Sequence, residues 1–87
     1  MSMTQANADD RAVRYLAGAE ELFRLGLICA IGETAPADRI AAHKWFNIAG
    51  MRGSSEAVRH RCELAGEMSS AEIAAAQRAA RLWLTRH

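Results

Sequence analysis

The sequence contains only two cysteines and one proline among 87 residues, and its aromatic content is 6%. Two cysteines, Cys29 and Cys62, are too few for the disulfide framework that holds small secreted domains together. The first ten residues have neither a basic start nor an apolar run, so they predict no export signal. We therefore expect a protein of the reducing cytoplasm with free thiols.

Long apolar runs and an excess of one charge are also missing. The longest nearly uncharged stretch, residues 25–32, is less than half of the roughly 20 residues that a membrane helix needs, so no membrane association is expected. Eleven Lys and Arg balance ten Asp and Glu, which leaves a net charge of +1. Such a chain lacks the basic field on which non-specific nucleic-acid binding depends. Its length allows one domain only.

What the sequence does contain is helix-forming residues. Hydrophobic residues make up 51% of the chain, alanine is abundant, and no stretch alternates apolar with polar residues, so we predict an all-α fold. Helix-breaking residues at 32–38, 53–55 and 68–70 leave four helices, which predict two antiparallel helical hairpins. Residues 19–87 are expected to form this domain. Residues 1–18 are expected to form an N-terminal extension, partly flexible or helical.

Capping residues mark the predicted helix ends. The first helix is expected over about residues 19–31, with Gly32 in the left-handed conformation that ends a helix. Asp38 is the predicted N-cap of the second helix. Ser69 and Glu72 have the spacing of a capping box, which predicts the start of the fourth helix.

The apolar faces of the middle helices predict how they pack. The second helix carries apolar residues on both sides of Trp45, so it is expected to be buried on two sides. The third helix is predicted over about residues 55–66. Its inward face is expected to consist of Val58, Cys62 and Ala65, with Leu64 alongside.

The chain also contains an internal echo. Ala42 precedes Trp45 by three residues, and Ala80 precedes Trp83 in the same way, 38 positions later. The surrounding pattern is similar to a Sel1-like repeat, the helical hairpin related to the TPR repeat, although Cys29 stands where that family usually has Tyr. The matching positions are Leu25, Gly26, Gly32, Asp38, Ala42, Trp45, Ala49, Gly53 and Ala57. The resemblance implies a short α-solenoid, with one repeat and a closing segment, that binds other proteins.

Few residues could support metal binding or nucleophilic catalysis: Cys29, Cys62, His43, His60 and His87. His60 and Cys62 are two positions apart on a helix and point in different directions, and no cysteine pair has zinc-binding spacing. We therefore predict no catalytic, cofactor-binding or metal-binding residue. Cys29 is expected to be a core residue with a raised thiol pKa, and His43 a solvated residue at the rim.

Two functional hypotheses remain. The leading one, which follows from the family resemblance, is a protein-interaction or adaptor module without catalytic activity. The alternative is a small thiol- or metal-dependent regulatory protein that uses Cys29, Cys62 and His43.

The sequence also predicts a homodimer. One repeat is too few to cover its own apolar ends, and Leu22, Phe23 and Leu27 are the expected interface on the N-terminal side. Residues 1–43 carry four Arg against six Asp and Glu, or −2, whereas residues 44–87 carry seven Lys and Arg against four Glu, or +3. Opposite charges in the two halves favour antiparallel pairing of two copies.

Overall fold

The structure is a computed structural model that describes residues 18–32 and 36–86. The described ranges contain four helices and no strand, which confirms the predicted all-α class: α1 (Ala19–Ile31), α2 (Arg39–Met51), α3 (Ser55–Ala65) and α4 (Ser70–Thr85). The predicted N-terminal extension lies outside these ranges, apart from Gly18. None of the four helices is long and apolar enough to cross a membrane.

The predicted capping residues act as expected. Gly32 follows α1 with φ of 73°, in the left-handed region that favours glycine. The Asp38 Oδ1 atom accepts a hydrogen bond of 3.0 Å from the backbone N–H of Ala41. Before α4, the backbone N–H of Glu72 donates to Ser69 Oγ at 3.1 Å, and the N–H of Ser69 donates to Glu72 Oε1 at 2.9 Å. These bonds satisfy helix N–H groups that lack a partner within the helix.

Helix α2 lies at the centre of the fold and packs closely against each of the other three helices. As predicted, it is buried on more than one side. Its contact with α1 is tight, because a Cβ atom at Gly26 would lie 2.4 Å from Cε1 of Phe46. The buried residues of α2 are Ala42, His43, Phe46, Ile48 and Ala49.

Contacts at both ends of α2 show the direction in which α3 runs. Arg39 Nη1 donates to the backbone oxygen of Glu67 at 3.0 Å near the start of α2, and Gly50 lies against Val58 near its end. Helices α2 and α3 are therefore antiparallel. Helix α4 packs mainly against α2, and few of its residues approach α3 closely. The second predicted hairpin is thus held together through α2 and not by direct packing of its own two helices.

The predicted inward face of α3 is wrong at Cys62, which is exposed, and it omits Ala57, which is fully buried. Leu64 packs against the core as expected, and Val58 lies against Gly50 of α2 while remaining 36% exposed. The reason is that α3 packs mainly against α2, with a further contact between its His60 and Phe23 of α1, so only part of its surface is covered. The face that would meet α4 in a tight hairpin is left near solvent.

The residues of the Sel1-like pattern occupy three kinds of place. Those that are fully buried or tightly packed are Gly26, Ala42, Ala49 and Ala57. Leu25 and Trp45 are half-buried against the core. Asp38 caps α2, and Gly32 and Gly53 form turns with positive φ.

Candidate interaction surface

One side of α1 faces solvent and carries charged and apolar residues together. Ile28 is 49% exposed and Ile31 is 65% exposed, although both are large β-branched hydrophobic residues. Three residues apart on a helix, they lie on one face. Charged residues of the preceding turns share this face. We define the α1 outer face as Glu20, Glu21, Arg24, Ile28 and Ile31, all of which are exposed.

This surface differs from the interface predicted from the sequence. Leu22 has no exposed surface and belongs to the core, so its place in the predicted interface is wrong. Phe23 is half-buried, with its ring centroid 5.8 Å from that of Phe46 and 5.0 Å from that of His60. Leu27 is also half-buried and packs against the core. The exposed apolar side chains of α1, Ile28 and Ile31, therefore lie on a neighbouring face of the helix.

A signal for this exposed face is present in the sequence. Glu20, Arg24, Ile28 and Ile31 recur at spacings of three and four residues, which places them in one stripe. A stripe that begins with charges is expected to face water. Ile28 and Ile31 end this stripe, and apolar residues in an otherwise charged stripe indicate an apolar patch on the surface.

A second surface feature joins α2 to α4. The rings of Trp45 and Trp83 meet edge to face, with centroids 5.5 Å apart and planes at 80°. The ammonium group of Lys44 lies 4.0 Å from the ring centroid of Trp45, and the guanidinium of Arg52 lies 5.4 Å from that of Trp83. Such cation–π contacts hold the aliphatic stems against the rings. This cluster fixes α4 on α2.

His43 is a buried residue that the sequence misplaced. It is 3% exposed, and its Nδ1 atom has no hydrogen-bond partner among the residues that the structure describes. Burial lowers the pKa of the imidazole, and the nearby charge of Arg61 lowers it further. The predicted position at a solvated rim is therefore wrong, because α3 covers this side of α2: Arg61 Nη1 donates to Asn47 Oδ1 at 3.0 Å, one turn further along α2 from His43.

The two cysteines have different surroundings. Cys29 is half-buried against the core, as predicted, and burial raises its thiol pKa, to which the negative charge of Asp38 adds. Cys62 is exposed, and Arg61 Nη2 lies 3.9 Å from its Sγ atom. Within residues 18–32 and 36–86, no three His, Cys, Asp or Glu side chains come together as metal ligands. The structure thus does not gather Cys29, Cys62 and His43 into one metal site.

An open groove of about 560 Å³ lies where α2 and α4 begin. Its carboxylates include Asp38 and Glu72, which already accept backbone N–H groups as helix caps. Arg39 is likewise engaged by the backbone oxygen of Glu67. The polar groups of this groove therefore serve the helix ends.

Comparison with known proteins adds no identification. No protein-family model, curated protein or solved structure matches the chain. The likeness to Sel1-like repeats consequently depends on the spacing of residues between Leu25 and Ala57 and remains a prediction. Function has to be argued from the surfaces described above.

Proposed function

We propose that the chain is a small Sel1-like helical module of the cytoplasm that binds a protein partner and catalyses no reaction. Two features support this proposal. Four short helices surround a core of small and aromatic residues, an arrangement suited to presenting surfaces. The pattern residues Gly26, Ala42 and Ala49 lie where helices approach closely, as a Sel1-like hairpin would require.

The observation that carries the proposal is the exposure of Ile28 and Ile31 on the α1 outer face. A single exposed apolar residue is normal on a soluble protein. Here two isoleucines adjoin half-buried Leu27, which makes the apolar surface continuous with the core. Charged Glu20 and Arg24 border it, as polar residues border the apolar centre of many interfaces. We therefore place the partner-binding surface here.

Self-association is the simplest form of this activity. A homodimer would cover the isoleucines of at least one copy without requiring any other protein. Its apolar contact would centre on Ile28 and Ile31, in place of Leu22 and Phe23, because the latter two are committed to the core.

Site-specific photo-crosslinking in the native cell tests the proposal. A photoreactive amino acid placed at Ile31 should capture a defined protein, whether another copy of this chain or a different one. The matched control carries the same group at Arg59, an exposed residue of α3. Capture at position 31 should be lost when Ile28→Asp is added, since a buried carboxylate opposes apolar contact.

Two outcomes would overturn the proposal. One is the absence of any product from position 31. The other is the same set of products from both positions, which would mean that capture reflects only random encounter.

A further inference from the structure

The outer face of α4 is the second exposed surface that a partner could use. Ala74, Arg78, Arg81 and Thr85 share one side of this helix and are all exposed. Leu82, at the edge of the same side, is 58% exposed. In the part of the chain that the structure describes, the guanidinium groups of Arg78 and Arg81 have no ion-pair or hydrogen-bond partner. We call these five residues the α4 outer face.

The internal echo relates this exposed face of α4 to a face of α2 that α3 covers. Trp45 of α2 and Trp83 of α4 are 38 positions apart and meet beside the core, and each follows a buried alanine by three residues. With the same offset, Arg81 corresponds to His43 and Thr85 to Asn47. In α2 those two positions face α3, which buries His43 and binds Asn47 through Arg61. In α4 the equivalent positions, Arg81 and Thr85, are exposed.

Helix α1 of a second copy of the chain can cover the α4 outer face. The α1 outer face carries two glutamates and one arginine, whereas the α4 outer face carries two arginines and no acidic residue. Opposite charge therefore favours α1 against α4, and it opposes α4 against α4. Exposed apolar residues also lie where antiparallel helices would meet, Ile28 and Ile31 near the end of α1 and Ala74 near the start of α4.

We propose that copies of this chain associate head to tail, with the α1 outer face of one copy packed on the α4 outer face of the next. The helices would run antiparallel, as α2 and α3 do within the chain. Glu20 near the start of α1 would then approach Arg78 and Arg81 in the second half of α4. This inference rests on the proposed function, because it names the partner of the same α1 surface.

Head-to-tail contact differs from a symmetric dimer in a measurable way. A symmetric dimer uses one surface twice and ends at two copies. Head-to-tail contact uses two surfaces once each and leaves an open α1 face and an open α4 face on the pair. The smallest product is a dimer, and higher concentration should add further copies.

Sedimentation velocity on the full chain, with charge-reversed variants, tests this arrangement. The variants are Glu20→Lys on α1 and Arg78→Glu with Arg81→Glu on α4. Glu21 is left unchanged, because its Oε1 atom accepts the N–H of Gly18 at the start of α1. The arginine reversal should weaken association about tenfold and the single glutamate reversal about threefold, as expected for exposed charge pairs that become repulsive.

The combined variant is the decisive measurement. With Glu20→Lys and both arginine reversals, α1 gains positive charge and α4 becomes acidic, so association should return to near the unmodified level. A 1:1 mixture of the α1 variant and the α4 variant should also associate better than either alone. Arg59→Glu on α3 is the control and should not change association. Circular dichroism should show the same helix content for every variant.

Two results overturn the head-to-tail arrangement. If the arginine reversals on α4 leave association unchanged, the contact is a symmetric one between α1 faces. If the unmodified chain stays monomeric at several hundred micromolar, this inference fails, while capture of another protein from position 31 would leave the proposed function standing. Absence of capture at position 31 would count against the proposed function itself.

Discussion

Gly26 of α1 lies so close to the ring of Phe46 in α2 that a Cβ atom at Gly26 would be 2.4 Å from Cε1 of the ring. Phe46 is nearly fully buried and also packs against Phe23, so its ring has no free space into which to turn. The contact between the first two helices therefore depends on the absence of a single side chain.

We expect Gly26→Ala to lower the free energy of unfolding by about 2 kcal/mol, since the cost of overpacking exceeds the better helix propensity of alanine. Gly50→Ala is a matched control within a helix. Its added methyl group would lie 2.8 Å from Cγ2 of partly exposed Val58, whereas at Gly26 two ring atoms of buried Phe46 would lie closer, at 2.4 and 2.5 Å. Urea unfolding followed by circular dichroism should show a smaller effect for Gly50→Ala. Equal effects would mean that the ring of Phe46 adapts.

The Trp45–Trp83 contact should carry much of the attachment of α4 to α2. We expect Trp45→Ala to lower the free energy of unfolding by about 3 kcal/mol, the low end for a large aromatic residue because Trp45 is half-buried. A double-mutant cycle with Trp83→Ala should give a coupling of about 1 kcal/mol, as edge-to-face pairs do. Strictly additive effects would show that the two rings contribute independently.

The sequence predicted local features well because they depend on neighbouring residues. Asp38 and Ser69 cap helices through atoms three residues away, and Gly32 ends α1 through its own backbone conformation. The buried side of each helix was harder to predict, because it depends on which other helix covers it. Cys62 was assigned to the core and His43 to the rim, and the packing of α3 on α2 reverses both assignments.

The prediction of interface residues on α1 contains a smaller error of the same kind. The predicted interface included Leu22 and Phe23, which turn toward α2 and α3. The structure shows that Ile28 and Ile31 are exposed, in line with the charged stripe that they extend. Likewise, the echo between Trp45 and Trp83 is visible in the sequence, whereas only the structure shows that His43 is covered and that its equivalent Arg81 is exposed.

The two thiols should react at different rates, which bears on the alternative of a thiol-dependent regulator. Cys29 is half-buried and its thiol pKa is raised by burial and by Asp38, so little of the reactive thiolate forms at neutral pH. Cys62 is exposed. We expect a thiol reagent to label Cys62 first, measured by mass spectrometry on the native protein, and to label Cys29 rapidly only in urea. Faster labelling of Cys29 in the folded protein would favour the regulatory alternative.

Stability should depend on pH through His43. Burial and the charge of Arg61 lower the imidazole pKa in the folded chain, whereas the unfolded chain keeps the ordinary value of 6.5. Between these two pKa values the unfolded chain binds more protons than the folded chain, so the free energy of unfolding decreases as the pH is lowered below 6.5. It becomes independent of His43 once the pH is below the folded pKa. Above pH 7 the neutral imidazole is compatible with burial and stability is highest.

Urea unfolding midpoints at pH 8, 7, 6 and 5 measure this effect, and pH 5 stays above the ordinary pKa values of carboxyl groups, about 3.9 to 4.3. His43→Leu removes the titrating group and should therefore flatten the pH dependence. Arg61→Gln removes the neighbouring positive charge, so protonation of His43 should cost less and the midpoint should decrease less at low pH. If the unmodified chain and His43→Leu lost stability in parallel from pH 7 to pH 5, the effect would have to come from another group. Protonated His43 would then be tolerated in the folded chain, which would require an acceptor for its Nδ1 atom beyond those found within residues 18–32 and 36–86.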